Sequence, residues 1–210
     1  MRIDHLHGYR GTLNYHEIVP MHEEKENIRK HALKHRDSLT RDPNDTEQIT
    51  QLFFETINDL DDKVVAVYWP IKSEIDTSLL IETLLNKDVH ICLPKTEKQG
   101  EPLTFLSWDG TSPLVDGGWG TKAPEDITSN RVTPNIIIVP IVTFDRNRGR
   151  IGYGQGHYDI TLHRLKEQGH APMTIGYAFD QQLCLFSLPK EEHDQTLDMI
   201  LTPTQCYSPK

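Results

Sequence analysis

The stretch 139–159 carries the densest set of side chains in this sequence that can bind an anion. It contains three arginines, Arg146, Arg148 and Arg150, followed by three alternating glycines, Gly152, Gly154 and Gly156. Alternating glycines let the backbone come close to a ligand and turn its N–H groups toward it. An arginine adds a fixed charge with a planar fork of donors. These residue types at this spacing predict a loop that binds a polyphosphate.

The elements on either side place this loop where α/β proteins bind ligands. The run 136–142 is the most apolar of the chain and predicts a central strand buried on both faces. Tyr158, Leu162 and Leu165 mark a helix by their spacing. Ligands of open α/β sheets bind beyond the carboxyl ends of the strands, and the start of a helix adds a positive dipole end. The loop 143–156 is neither a Walker A sequence nor a dinucleotide fingerprint, so a flexible hairpin tip is the alternative interpretation.

The rest of the chain alternates between helical and strand-like patterns. Helices are predicted at 21–40, 46–60 and 79–85, strands at 64–69, 89–93, 173–178 and 197–201, an antiparallel partner strand at 103–108, and mainly loop at 110–134. Strands that alternate with helices predict an α/β fold. We expect a single three-layer α/β/α domain over 21–210, with a mostly parallel, Rossmann-like central sheet. Residues 1–20 are predicted to be a poorly ordered extension.

Composition argues against several classes of function. The chain of 210 residues has a net charge of -9 at pH 7, which argues against general binding to nucleic acid or to anionic membranes. No apolar run approaches the roughly 20 residues of a membrane span, and residues 1–20 contain no signal-peptide core. A cytoplasmic, monomeric protein with small-molecule substrates is the expectation.

Cysteine and histidine spacing predicts neither a disulfide nor a metal site. Cys92, Cys184 and Cys206 lie far apart and form no C-x-x-C pair. His31 and His35 lie four residues apart on the first predicted helix, but no third ligand follows at a fixed spacing. We interpret these residues as structural thiols and solvated histidines.

The stretch 139–159 resembles the signature of the 5-formyltetrahydrofolate cyclo-ligase family, which reads roughly Phe-Asp-x-x-Gly-x-Arg-Leu-Gly-x-Gly-x-Gly-Tyr-Tyr-Asp-Arg. Three other segments resemble that family in order and spacing: 25–29 followed by Arg36, 68–77, and 193–194 followed by Asp198. The resemblance covers about 25–201, which is nearly the whole chain. The glycine signature is long and specific, whereas each of the other three is weak alone.

The resemblance implies an α/β/α fold and one reaction. ATP and 5-formyltetrahydrofolate give 5,10-methenyltetrahydrofolate, ADP and phosphate, with magnesium. The γ-phosphoryl group passes to the formyl oxygen, N10 attacks the activated carbon, and phosphate leaves. Phosphoryl transfer depends on positioning and charge neutralisation more than on a protein nucleophile. The implied partners are therefore ATP as co-substrate, a reduced folate and Mg²⁺.

The resemblance also implies roles for individual residues. Those expected to contact ATP are Lys25, Arg29, Arg150, Gly152, Gly154, Gln155, Gly156, His157 and Tyr158. Arg150 and Tyr158 are the implied catalytic residues. The folate is expected to contact Trp69, Glu74, Tyr153 and His157, with Glu74 matching the amidine-like edge of the pterin. Asp159 and Asp194 are expected to hold magnesium, directly or through water.

Each assignment has a structural alternative. Lys25 and Arg29 also fit a solvated helix face, and Asp159 fits a carboxylate stabilised by the dipole of a helix N-terminus. Asp194 and Glu74 are alternatively loop and turn residues. Trp69 is equally consistent with a core aromatic, and Tyr153 with a solvent-facing loop tyrosine.

Three departures from the family pattern bear on the substrate. His157 replaces the first tyrosine of Tyr-Tyr-Asp-Arg, and Ile160 replaces its arginine. A Gly-x-x-Glu-Pro pattern common in the family reads Gly120-Thr-Lys-Ala-Pro124 here, so that Ala123 takes the place of the glutamate and nearby Glu125 is a candidate substitute. The alternatives are a paralogue that acts on another substrate, or a nucleotide- or folate-binding module without turnover.

Overall fold

A computed structural model describes residues 21–209, so the prediction for residues 1–20 lies outside the described part of the chain. The α-helices are α1 Met21–Asp37, α2 Asp45–Thr56, α3 Ser78–Asn86 and α4 His157–Glu167. The strands are β1 Val64–Ala66, β2 His90–Lys95, β3 Thr104–Trp108, β4 Leu114–Gly118, β5 Thr121–Pro124, β6 Ile136–Pro140, β7 Thr143–Asp145, β8 Arg150–Ile151, β9 Met173–Tyr177, β10 Leu183–Cys184, β11 Met199–Leu201 and β12 Cys206–Tyr207. Short 3₁₀ turns cover Thr128–Asn130 and Asp180–Gln182.

A seven-stranded sheet in the order β12-β11-β9-β6-β1-β2-β3 forms the centre of the molecule. The five inner strands are parallel, while the edge strands β3 and β12 are antiparallel to their neighbours. Numbered by their order in the chain, the parallel strands run 2-1-3-4-5 across the sheet. This order reverses between β1 and β6, and doubly wound sheets bind ligands at such a switch point.

Helices cover both faces of this sheet because its inner strands are apolar on both sides. Along β6, Ile136 and Ile138 pack into one core with α2 and α3, whereas Ile137 and Val139 pack into the other core with α4. Continuous apolar runs of this kind are typical of parallel strands buried on both faces. The three-layer α/β/α arrangement and the central position of 136–140 confirm the predicted fold class.

Two segments predicted as loop contain short strands. The region 110–134 includes the hairpin of β4 and β5, and the region 143–156 includes β7 and β8, which join β10 in a small three-stranded sheet. Most residues of both segments lie outside strands, as predicted, but the short strands themselves were not predicted. They have only two to five residues, and the surrounding glycines, serines and prolines hide their alternation. The predicted antiparallel pairing of 103–108 is confirmed, since β3 runs antiparallel to β2.

Within residues 21–209, none of the helices is both long and apolar enough to cross a lipid bilayer.

Candidate functional site

A cavity of about 550 Å³ lies beyond the carboxyl ends of β1 and β6, at the switch point of the sheet. Every residue to which the sequence assigned a role lines it: Lys25, Arg29, Trp69, Glu74, Arg150, Gly152, Tyr153, Gly154, Gln155, Gly156, His157, Tyr158, Asp159 and Asp194. The fold thus brings together groups that lie as many as 169 residues apart in the chain, such as Lys25 and Asp194.

Helix α1 turns a basic face toward the cavity rather than toward solvent. Lys25 and Arg36 are buried, with 6% and 1% of their surface exposed. The side chain of Arg29, between them, is 12% exposed. The other two lysines of α1, Lys30 and Lys34, remain exposed. A solvated helix face therefore describes only some of the basic residues of α1, and the inward ones are those of the family pattern.

Lys25 is held by two carboxylates from the segment before β11. Its Nζ donates to Glu191 Oε2 at 2.6 Å and also to Asp194 Oδ2. The hydrogen bond from Lys25 lowers the pKa of Glu191. Burial opposes ionisation of Asp194, but hydrogen bonds from Lys25 and from the Glu191 N–H outweigh burial and leave the pKa of Asp194 below its ordinary value. Both carboxylates are therefore ionised beside the ammonium.

Arg150 is fixed with its guanidinium at the cavity wall. Its Nη2 donates to Asp159 Oδ1 at 2.9 Å and its Nη1 donates to the Gln195 carbonyl oxygen. The other two arginines of the loop do not share this position. Arg148 donates from Nε to the Leu197 carbonyl at 3.0 Å, and Arg146 is exposed. Of the three arginines that predicted an anion site, only Arg150 lines the cavity.

Asp145 organises the turn that delivers Arg150. Its Oδ1 accepts from the N–H groups of Asn147 and Gly149, at 2.8 and 3.0 Å, and its Oδ2 accepts from the Leu188 N–H at 2.8 Å. The side chain is buried, with 4% of its surface exposed. A carboxylate that satisfies three backbone donors shapes the β7–β8 turn, so the aspartate of the Phe-Asp signature has a structural role here.

Two of the three alternating glycines are required by the backbone. Gly154 has φ +89°, and a Cβ there would lie 2.9 Å from Arg29 Cζ; Gly156 precedes α4 with φ +73°. Only glycine adopts such conformations without strain. At Gly152, by contrast, a Cβ would meet no atom within 4 Å. Its carbonyl oxygen accepts from Arg29 Nε at 2.7 Å, which ties the glycine loop to α1.

Glu74 is a buried carboxylate in the turn that follows β1. Its Oε2 accepts from the Ile71 N–H at 2.8 Å, and 6% of its surface is exposed. Burial raises the pKa of Glu74 to about 7, and the hydrogen bond from Ile71 and the charge of Arg36 oppose that rise only in part. Burial and the charge of Glu74 in turn raise the pKa of Tyr158. Both groups line the cavity, where a ligand can form hydrogen bonds with them.

Arg36 was not among the predicted site residues, yet it connects three segments of the cavity wall. It donates to Ser73 Oγ and to the Ile141 carbonyl, both at 3.0 Å, and its third nitrogen donates to the Tyr153 hydroxyl. Its guanidinium also lies 5.3 Å from the centre of the Tyr153 ring. Tyr153 is thus held from behind by α1 and does not point freely into solvent.

Aromatic rings flank the opening of the cavity. Trp69 is half-buried, with Trp108 at 6.2 Å and Lys122 at 5.7 Å from its ring centre. Trp119, at the tip of the β4–β5 hairpin, is 54% exposed and lies 6.3 Å from the His157 ring. Trp119 was not among the predicted site residues, although a tryptophan between two glycines, Gly118 and Gly120, was a signal that the sequence offered.

The departures from the family pattern have clear positions. His157 is buried; its Nδ1 donates to the Glu101 carbonyl at 2.8 Å, and its Nε2 has no partner among residues 21–209. Ala123 is fully buried in β5 as part of the apolar core. Glu125 is exposed and is not among the residues that line the cavity. The structure therefore does not place Glu125 in the role of the missing glutamate.

The geometry is typical of α/β enzymes that bind phosphorylated ligands at the switch point of a doubly wound sheet. The 5-formyltetrahydrofolate cyclo-ligase family matches residues 21–203. A 5-formyltetrahydrofolate cyclo-ligase from Escherichia coli K12 is 33% identical over 148 residues, covering 68% of this chain and 79% of that protein. One from Haemophilus influenzae is 29% identical over 185 residues, covering 85% and 97%.

A solved structure shows the same fold. The 5,10-methenyltetrahydrofolate synthetase of Aquifex aeolicus superposes with a TM-score of 0.72 at 27% identity, over 88% of this chain and 92% of that one. The Mycoplasma pneumoniae protein gives a TM-score of 0.65 at 24% identity, over 86% and 99%. The chain belongs to the 5-formyltetrahydrofolate cyclo-ligase family, and it is an enzyme of the ligase class.

Gly154→Ala should destabilise the protein, because the new Cβ combines a left-handed backbone with a clash against Arg29. We expect a loss of about 1–3 kcal/mol in the free energy of unfolding. The matched variant Gly152→Ala meets no neighbour and should stay within about 0.5 kcal/mol of wild type. Thermal or urea unfolding of both variants measures this, and equal stability of the two would contradict the described loop.

Glu74→Gln should stabilise the protein. The raised pKa of Glu74 means that the folded state favours the protonated carboxyl. The stability that this preference adds is full below the ordinary pKa and is lost as pH rises through 7. A neutral amide keeps an oxygen that accepts from the Ile71 N–H, and it should raise the free energy of unfolding by on the order of 1–3 kcal/mol at pH 8. The gain should shrink toward pH 5. Unfolding curves at the two pH values measure it, and a constant or negative change would contradict the raised pKa of Glu74.

Proposed function

We propose that this protein uses ATP to convert 5-formyltetrahydrofolate into 5,10-methenyltetrahydrofolate, releasing ADP and phosphate. The observation that carries the proposal is the meeting of two different kinds of subsite in one cavity. Lys25, Arg29 and Arg150 with the glycine loop make an anion-binding end. Glu74, with neighbouring aromatic rings, makes an end suited to a flat heterocycle that carries N–H donors.

The reaction needs an activated formyl oxygen, because that oxygen is a poor leaving group. It attacks the γ-phosphorus of ATP, the bond to the β-phosphate oxygen breaks, and ADP leaves. N10 then attacks the formyl carbon, the carbon–oxygen bond breaks, and inorganic phosphate departs with the oxygen. The N10 proton is lost, and the ring closes as the methenyl cation. No protein nucleophile is required, so the side chains act by holding the two substrates in line and by stabilising charge.

The anion-binding end suits the triphosphate. Arg29 and Arg150 are already fixed by Gly152 and Asp159, so they lose little side-chain freedom on binding. The N-terminus of α4 adds its dipole behind the glycine loop. Arg150 in the catalytic role would neutralise charge on the phosphoryl group in transit. Tyr158 also lines the cavity. Its raised pKa keeps the hydroxyl protonated, so that it can donate to the substrate oxygen.

The donor set fits a magnesium ion that accompanies the nucleotide. Asp159 Oδ1 accepts from Arg150 and from the Gln195 N–H, while its Oδ2 forms no hydrogen bond within residues 21–209. Asp194 lies on the same wall. Hard carboxylate oxygens are the ligands that Mg²⁺ prefers. The ion would shield the charge between the phosphates, and Asp159 and Asp194 would hold it directly or through water.

A second candidate is a related reaction on a different substrate, and His157 is the observation that favours it. Its Nδ1 donates to a carbonyl, so the neutral ring offers only an acceptor at Nε2. Where the family pattern has tyrosine, a hydroxyl can donate as well. A substrate selected by His157 would present a different hydrogen-bonding edge from 5-formyltetrahydrofolate. The anion-binding end of the cavity would bind the triphosphate in the same way.

Purified wild-type protein with Mg-ATP and 5-formyltetrahydrofolate should form product that is visible by the absorbance of the methenyl group. Arg150→Met should lower kcat/KM by about 100-fold or more, because charge stabilisation is lost. Arg146→Met, its exposed neighbour in the same loop, should leave the rate within about twofold. Absence of product from a folded wild type, together with thermal stabilisation by ATP, would point to a binding module or another substrate.

The affinity for the folate should depend on ionisation of Glu74. The raised pKa near 7 means that the accepting carboxylate forms as pH rises through 7. Since only the ionised fraction binds, KM for the folate at saturating ATP should be about tenfold higher at pH 6 than at pH 8. Glu74→Gln should raise KM and flatten the profile. A profile that keeps its slope in that variant would assign the pH dependence to another group.

A further inference from the structure

His157 brings an unpaired hydrogen-bond acceptor to the cavity wall. The residue begins α4 and lines the cavity, with 9% of its surface exposed. Its Nδ1 donates to the Glu101 carbonyl at 2.8 Å, so the lone pair of the neutral ring is on Nε2. That nitrogen is buried and has no partner within residues 21–209. Buried polar atoms almost always have a hydrogen-bond partner, so an unpaired one in a cavity wall indicates a place where a ligand binds.

The connection between β2 and β3 fixes the direction of this acceptor. Glu101 belongs to that connection and is not among the residues that line the cavity, and Nε2 lies on the opposite edge of the ring from Nδ1. The Leu103 N–H donates to Thr161 Oγ1 at 2.8 Å, and that hydroxyl donates to the His157 carbonyl at 2.6 Å. The first turn of α4 is therefore held at two points, and the ring cannot turn over without breaking its bond to Glu101.

An acceptor at this point suits the folate rather than the nucleotide phosphates. Phosphate oxygens are themselves acceptors, so they would face the Nε2 lone pair with no proton between the two atoms. For phosphate the cavity already offers the cationic groups of Lys25, Arg29 and Arg150. Nε2 instead matches a ligand N–H, which a reduced folate carries on its pterin ring and on N10.

The position of His157 indicates which N–H it meets. On its inner side is Tyr158, and burial together with the nearby charge of Glu74 raises the pKa of that tyrosine. On its outer side, the ring of Trp119 at the hairpin tip lies 6.3 Å from the His157 ring. N10 joins the pterin to the aminobenzoyl ring. A folate with its pterin edge on Glu74 and its aminobenzoyl ring beside Trp119 therefore brings N10 close to His157.

We propose that His157 Nε2 accepts a hydrogen bond from the N10–H of the folate and thereby orients N10 for ring closure. N10 carries one proton and one lone pair, which point in different directions. A proton held by His157 leaves the lone pair free to face the activated formyl carbon, and such orientation of a nucleophile lowers the barrier to its attack. The proposal rests on the proposed function, because it concerns the second step of that reaction. Transfer of the phosphoryl group does not involve N10, so His157 affects ring closure alone.

Single-turnover kinetics with Mg-ATP and 5-formyltetrahydrofolate separate the two steps. Rapid quenching measures the formation of ADP, and the absorbance of the methenyl group measures ring closure. His157→Phe keeps a flat ring but removes the acceptor. In this variant ADP should form within about threefold of the wild-type rate, whereas ring closure should be at least about tenfold slower. His163→Phe is the matched control, since His163 is exposed on the same helix, and it should change neither rate.

A second measurement uses wild type and does not depend on how well His157→Phe folds. With ADP in place of ATP no turnover occurs, and 5-formyltetrahydrofolate should move the nitrogen NMR resonance of His157 Nε2 upfield, because a hydrogen bond to the lone pair shields that nucleus. The analogue with a methyl group on N10 offers no proton there and should leave the resonance in place. Correlations from the His157 backbone assign the signal.

Ring closure at the wild-type rate in His157→Phe would overturn the proposal. So would an Nε2 resonance that neither folate moves, or that both folates move equally. A wild type that forms neither ADP nor methenyl product would instead overturn the proposed function, and the binding spectra would still decide the role of His157. If wild type and His157→Phe both close the ring normally, the proposed function stands and only the role of His157 fails.

Discussion

The burial of positive charge on the inner face of α1 is the constraint on which the rest of the site depends. Placing a lysine and two arginines at the end of an apolar sheet is costly unless each finds charged or hydrogen-bonding partners. Lys25 donates hydrogen bonds to two carboxylates, and Arg29 donates to the Gly152 carbonyl and to Glu26. Arg36 donates to Ser73, to the Ile141 carbonyl and to Tyr153. Apart from Glu26, those partners come from the turn after β1, the residue after β6, the loop after β8 and the segment before β11, so the helix holds these parts of the wall in register.

This arrangement explains why the switch point stays open. The sheet reverses its strand order between β1 and β6, and the segments that leave these two strands diverge to opposite sides of the gap. The turn after β1 supplies Glu74, and the turn after β6 leads to Asp145 and Arg150. Arg36 of α1 bridges this gap with hydrogen bonds to Ser73 after β1 and to the Ile141 carbonyl after β6, so α1 presents a polar face there. The same charges that hold the helix in place therefore remain available to a ligand that can offer stronger partners than the protein does.

Local signals in the sequence were sufficient to predict those parts of the cavity wall that follow one another in the chain. The apolar run before a glycine and arginine loop predicted the central strand, and the structure has a cavity at the carboxyl end of that strand. The orientation of α1 could not be read in this way, because a helical period defines two faces without saying which one is buried. Its apolar residues Ile28 and Ala32 are only half-buried, whereas Lys25 and Arg36 are buried. Glu191 was missed because only the fold brings it to a lysine 166 residues away.

The most direct measurement is a crystal structure of the protein with ADP and 5-formyltetrahydrofolate bound together. The diphosphate should lie between Arg29 and Arg150 against the glycine loop, with the Lys25 ammonium at a phosphate oxygen and the pterin edge on Glu74. The formyl oxygen should point to the position that the γ-phosphate of ATP would occupy beyond the β-phosphate of ADP. A nucleotide bound outside this cavity, or a pterin distant from Glu74, would contradict the central claim that the basic face of α1 and the turn after β1 serve one reaction.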